Sequence, residues 1–100
     1  MKLRLNGNSI RLRLGMSEVN TLVRDGSVVE RVEFGPTVSP LIYELRTTDD
    51  IRFSATFEKG RMSILVPRSA VLEWAAGHGL SLGGSQPARG GTELSILIEK

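Results

Sequence analysis

The sequence predicts a single α+β domain: a mostly antiparallel sheet of about seven or eight strands with two helices, built as two ββαββ units and able to curl into a barrel. Three observations predict it. Short runs alternate apolar and polar residues along most of the chain, the period-two mark of half-buried strands. Only two stretches, near residues 16–25 and 68–76, change to a helical period. The two halves, 1–48 and 49–100, also align. At an offset of 52, Leu3 and Leu5 fall on Ala55 and Phe57, and Ile10, Leu12 and Leu14 on Met62, Ile64 and Val66. Ser17, Val19, Leu22 and Val23 then fall on Ser69, Val71, Trp74 and Ala75; with one further residue, Leu41, Tyr43 and Leu45 fall on Leu94, Ile96 and Ile98. Self-similarity of this kind predicts a duplicated unit.

Residues 1–5 form the first strand, with Leu3 and Leu5 inward and Lys2 and Arg4 outward. Asn6-Gly7 marks a hairpin, because a type I′ turn needs positive φ at both central residues. Residues 9–14 return, with Ile10, Leu12 and Leu14 inward and Arg11 and Arg13 outward. In the helix over 16–25, Val19, Leu22 and Val23 make the buried stripe, Glu18 favours the positive dipole end, and Gly26 terminates it. A third strand over 27–34 turns Val28, Val32 and Phe34 inward. Pro36 and Pro40 make 35–40 a loop. A fourth strand covers 41–47, and Thr48, Asp49 and Asp50 turn the chain.

In residues 51–57, Ile51, Phe53, Ala55 and Phe57 point one way and Arg52, Ser54 and Thr56 the other. A loop with Gly60 joins this run to Met62, Ile64 and Val66, predicting a hairpin. Pro67 ends the strand because it has no N–H for the ladder. Val71, Trp74 and Ala75 share the face of the second helix, and Gly77 suits its C-cap. Residues 80–82 predict a short strand, the glycine-rich 83–91 a mobile loop, and 92–99 a last strand with Leu94, Ile96 and Ile98 inward. Short connections favour antiparallel pairing with both helices on one face, and closure into a barrel would remove exposed edges.

Composition narrows the classes. One hundred residues with 40% hydrophobic and 24% charged side chains fold as one domain. Thirteen basic residues against 11 acidic ones leave a net charge of +2, mildly basic. The chain has no cysteine, which excludes disulfides and thiolate metal sites and suits a reducing compartment. No apolar h-region opens it and no apolar run approaches the ~20 residues of a membrane span. The expectation is a cytoplasmic protein without a membrane partner.

The most distinctive constellation is the basic face of the first hairpin, where Lys2, Arg4, Arg11 and Arg13 project to one side, with Arg46, Arg52 and Arg61 as candidate extensions. Like charges facing each other across strands destabilise a sheet. Either neighbouring carboxylates (Glu33, Glu44, Glu93, Glu99) neutralise them, or an anionic ligand is held by the arginine forks. No aromatic residues interleave the cations, which disfavours single-strand stacking. His78, the one histidine, has neither cysteine nor second histidine to complete a metal or catalytic set and is expected in a loop. Asp49-Asp50 lacks the alternating oxygen donors of a calcium loop and is expected to be a turn. The 83–91 glycines precede no Lys-Ser/Thr, so no phosphate loop is expected there. Trp74 is expected in the core. Leu65, Val66, Pro67 and Arg68 spell a trypsin-like protease target, expected to be inaccessible at a strand end.

The run Asn8, Ser9, Ile10, Arg11, Leu12, Arg13, Leu14 followed by Ser17, Glu18 and Val19 resembles the opening of a small family of uncharacterised bacterial proteins. Residues 64–68, Trp74-Ala75 and the closing 96–100 resemble it more weakly. The resemblance implies a bacterial domain of unknown function, with a cysteine-containing tail beyond Lys100, and carries no activity with it. Two functions are therefore expected. The first is a non-enzymatic protein-interaction or self-associating module, because sheet edges need covering and no catalytic set or cofactor motif is present. The second is an anion-, phosphate- or nucleic-acid-binding domain using Lys2, Arg4, Arg11 and Arg13.

Overall fold

The computed structural model describes residues 1–77, 79 and 81–100. The elements run β1 (Lys2–Leu5), β2 (Ser9–Arg13), α1 (Met16–Asp25), β3 (Ser27–Val32), β4 (Leu41–Thr48), β5 (Ser54–Glu58), β6 (Arg61–Pro67), α2 (Arg68–Ala75), β7 (Ser81–Pro87) and β8 (Glu93–Glu99), with a single 3-10 turn at Arg89–Gly91. The order ββαββ thus occurs twice.

The eight strands form two four-stranded sheets, ordered β1-β2-β8-β7 and β3-β4-β6-β5. Each is mixed. Antiparallel pairs lie outside, and a parallel pair, β2 with β8 or β4 with β6, lies at the centre. This corrects the expectation of one mostly antiparallel, barrel-like sheet. The reason lies in the helices. After β2, α1 carries the chain into the other sheet, where β3 and β4 pair; after β6, α2 carries it back. Each sheet is therefore assembled from one strand pair of each half. Alternation reports which side of a strand is buried, not which strand lies beside it.

The register repeats in both sheets. Leu3 faces Leu12 as Ala55 faces Ile64, and Leu12 lies beside Ile98 as Ile64 lies beside Leu45. Burial follows the same alignment: Leu12 and Ile64, Leu14 and Val66, Val19 and Val71, Leu22 and Trp74, and Leu45 and Ile98 are all buried in one core. That core takes the inner faces of both sheets and one face of each helix, with Trp74 fully enclosed.

Local signals act as expected at several points and differently at others. Gly26 caps α1 in the left-handed region (φ 83°), donating to the Leu22 carbonyl. In the first hairpin only Gly7 takes positive φ (56°), so its turn is not type I′. The second hairpin does place both Lys59 (φ 50°) and Gly60 (φ 78°) there. Ile51 is 89% exposed and Phe57 65%, because β5 starts only at Ser54 and sits at an edge. β3 stops at Val32, leaving Phe34 in the following loop and exposed. The expectations placed on His78 and Leu80 lie outside the described residues.

The largest local correction is β7. The strand expected at 80–82 runs on through residues 83–87 of the glycine-rich stretch expected to be mobile, because tertiary contacts hold it. Its register against β8 runs from Ser81–Glu99 to Pro87–Glu93. The Gln86 side-chain amide pairs with the free edge of β5, accepting from the Ala55 N–H (2.8 Å) and donating to the Ala55 carbonyl (2.9 Å). It acts as a substitute strand residue between the sheets. Gly84 leaves room for Phe53: a Cβ there would lie 2.6 Å from the ring's Cγ and 2.7 Å from its Cβ. Gly84→Ala is expected to lower stability by ~1–3 kcal/mol through overpacking, while Gly83→Ala, whose Cβ meets atoms no closer than 3.7 Å, costs less. Urea midpoints for the two variants check the difference.

Candidate anion-binding site

The outer face of the first sheet gathers the four cations of the N-terminal hairpin. Arg4 stands directly opposite Arg11, and Lys2 opposite Arg13. Across the parallel pair, Arg13 neighbours Glu99 and Arg11 neighbours Leu97. The four cations and Glu99 line a concavity of about 250 Å3. Arg11 Nε lies 3.4 Å from Glu99 Oε1. Among the described residues no carboxylate lies within ion-pair distance of Lys2, Arg4 or Arg13. One carboxylate therefore faces four cations.

Arg46, Arg52 and Arg61 do not extend this face, because the strands are divided between two sheets. Arg46 and Arg61 lie on the outer side of the second sheet, where they hold Glu44 at 3.8 and 3.2 Å. Arg52 lines a separate groove with Asp50, Phe53 and Gln86. Of the four carboxylates expected to neutralise the hairpin, Glu99 alone reaches it. Glu33 pairs with Arg31 (3.2 Å), Glu44 belongs to the second sheet, and Glu93 offers its backbone carbonyl to the Asn8 amide (2.7 Å). Asp50 closes a turn, accepting from the Arg52 N–H (3.1 Å). Among the described residues no group of three or more His, Cys, Asp or Glu is placed to hold a metal, and no helix is long and apolar enough to cross a membrane. Val66 and Pro67 are buried, so the protease-like stretch is held in the strand end.

Glu44 lies on the side that alternation gives it, but its burial was not foreseen. It points outward yet is only 5% exposed, covered by its two arginines. Burial pushes its carboxyl pKa up, but the Ser63 hydroxyl donating at 2.7 Å and the Arg46 and Arg61 charges outweigh this and hold it below the usual carboxylate range. A depressed native pKa means that the ionised carboxylate stabilises the fold above its unfolded pKa, and that this contribution fades as pH falls through the native value. Glu44→Gln is expected to flatten the acid limb of the stability–pH curve below about pH 5. Thermal midpoints between pH 7 and 3 check this.

A second concavity of about 420 Å3 adjoins the first and shares Lys2 and Arg13 with it. Its wall includes Met1, Leu14 and Met16 from the strand end and the start of α1. Glu18, also in this wall, is held below its usual pKa by the Met1 ammonium and the Gly15 N–H, which donates to it at 2.9 Å. The Met1 ammonium also reaches Glu30 (3.2 Å), and Tyr43 Oη donates to the Met1 carbonyl (3.2 Å), tying β1 to the second sheet. This second compartment was not legible beforehand, because it forms only where the hairpin meets α1 and the final strand.

Fold and face together define a small α+β domain of two mixed sheets, one of which carries a cationic hollow on its outer side. The chain belongs to a family of unknown function, DUF7009, whose pattern spans residues 1–100. No curated protein and no solved structure matches it.

Proposed function

We propose that the protein binds phosphate-bearing anions on the outer face of its first sheet, with Lys2, Arg4, Arg11 and Arg13 as the contacting residues. One observation carries this reading. The second sheet repeats the first in order and register, and at the four equivalent positions it holds Ser54, Thr56, Ser63 and Leu65. The fold is thus built at these positions without any charge. Two like-charge pairs placed face to face cost stability, and Glu99 offsets only part of that. Cations kept where the fold does not need them fit a ligand that does.

The arrangement suits binding rather than catalysis. Its single carboxylate is engaged by Arg11, and arginine forks match phosphate oxygens in pairs. Among the described residues no aromatic side chain lines either concavity, so the reading is of phosphate contacts without base stacking on a sheet platform. We read the chain as a duplicated ββαββ unit in which one hairpin carries the site and its counterpart does not. A self-associating module would draw on β3 and the loop after it, where Val29, Val32, Phe34 and Val38 are exposed; the other exposed large apolar residues are spread over β1, α1, the β4–β5 turn, β5 and α2.

The test is thermal unfolding followed by Trp74 fluorescence with tripolyphosphate as probe. At 100 times its dissociation constant a ligand stabilises by ~2.7 kcal/mol, a rise of about 10–20 °C in a domain this size. The rise is expected for the wild type and absent for Arg11→Ala/Arg13→Ala. No rise in the wild type, or an equal rise in the variant, would overturn the assignment.

A further inference from the structure

We propose that the ligand is an organic polyphosphate, with its phosphates on the four cations and its organic part in the adjoining concavity; this rests on the anion reading above. The two concavities are continuous in their walls but differ in chemistry. The first is lined by charged side chains alone. The second begins at the same Lys2 and Arg13 and continues over Leu14 and Met16, with Met1 beside them.

Two further charged groups of the second compartment have partners within the fold. Glu18 takes the Met1 ammonium and the Gly15 N–H, and the Lys100 ammonium donates to the Trp74 carbonyl. Beyond Lys2 and Arg13 the lining turns more apolar, with Met16 exposed and the Lys100 ammonium drawn against the Trp74 carbonyl and ring. A bare phosphate chain would fill only the charged compartment.

Geometry gives the ligand a direction. Residues two apart on a strand are about 6.6 Å apart, so the Arg4–Arg11 row and the Lys2–Arg13 row follow one another along the hairpin. Beyond Arg13 the chain itself leads to Leu14 and Met16. A phosphate chain lying along β1 and β2 would deliver its organic end to Met16, since Leu14 is buried in the core. Met16 opens α1 and is 62% exposed. Its flexible, polarisable thioether adapts to flat heteroaromatic rings. A nucleoside triphosphate has this division into charged and ring-bearing ends.

The experiment is calorimetric titration of the full chain, at fixed ionic strength, with tripolyphosphate, adenosine triphosphate and adenosine. Adenosine triphosphate is expected to bind about four- to fifteenfold more tightly than tripolyphosphate, the worth of one or two buried methylene-sized groups, and adenosine alone not measurably. Met16→Ala is expected to erase that margin and leave tripolyphosphate affinity unchanged; alanine suits the first turn of a helix, so the fold is kept. Equal or weaker binding of adenosine triphosphate, or a margin that survives Met16→Ala, overturns the organic part while the anion reading stands. Absence of tripolyphosphate binding overturns both.

Discussion

Trp74→Ala is expected to lower stability by ~3–5 kcal/mol, enough to leave much of the protein unfolded at moderate temperature. Trp74 is the largest fully buried side chain, set at the centre of a core shared by both sheets and both helices. Its counterpart in the first half, Leu22, is equally buried, so neither half can fill the gap by shifting outward. The loss corresponds to a fall of about 12–40 °C in Tm. Trp74→Phe is expected to cost far less. Among the described residues the indole Nε1 has no hydrogen-bond partner, so the substitution breaks no bond there and removes an unpaired buried donor, a gain of ~1–3 kcal/mol set against the smaller volume. Chemical denaturation of the two variants checks the ordering. A phenylalanine as costly as alanine would show that the indole nitrogen contributes a bond.

The second large effect concerns the cationic face. Replacing Lys2, Arg4, Arg11 and Arg13 by the residues of the second sheet (Lys2→Ser, Arg4→Thr, Arg11→Ser, Arg13→Leu) is expected to abolish the response to tripolyphosphate and to raise the stability of the free protein. Each opposed like-charge pair costs a few tenths to ~1 kcal/mol, and the exposed Arg11–Glu99 pair returns ~0–1 kcal/mol. The net gain is about 0.5–1 kcal/mol, or a few degrees in Tm. Added salt is expected to stabilise the wild type more than this variant, because it screens the repulsion. Differential scanning calorimetry at low and high salt reads both effects. A free variant less stable than the wild type would make the cations part of the architecture and remove the argument for a ligand.

The elements were legible because their signals are local. Period-two alternation marked β2, β6 and β8, the change to helical spacing marked α1 and α2, and Gly26 marked the end of α1, while α2 is capped by Ala76, one residue before the expected Gly77. The 52-residue offset even carried the pairing register, since Leu3–Leu12 and Ala55–Ile64 are equivalent pairs in the two sheets. The strand order was not legible. Nothing in the pattern of Ser27–Val32 says that α1 has moved the chain to another sheet. The continuation of β7 past Leu82 was missed for a related reason: its glycines have poor strand propensity, and what orders them is Phe53 over Gly84 and Gln86 against Ala55, both far away in the chain.

The site followed the same division. Lys2, Arg4, Arg11 and Arg13 share a face because they belong to one hairpin, which is local information. Arg46 and Arg61 were grouped with them because sequence cannot separate two sheets whose strands carry the same alternation. Glu44 points outward as its position requires, and the arginines beside it and the Ser63 hydroxyl engage its carboxylate. The second concavity draws on residues 1, 2, 13–16, 18 and 100, and no local pattern brings those together.

The measurement closest to the central claim is amide chemical-shift mapping of the protein during titration with tripolyphosphate. Saturable shifts are predicted along β1 and β2 and at the Glu99 end of β8, with β5 and β6, the equivalent strands, unmoved. Shifts centred on Arg46 and Arg61, or no saturable shifts at all, would contradict the account.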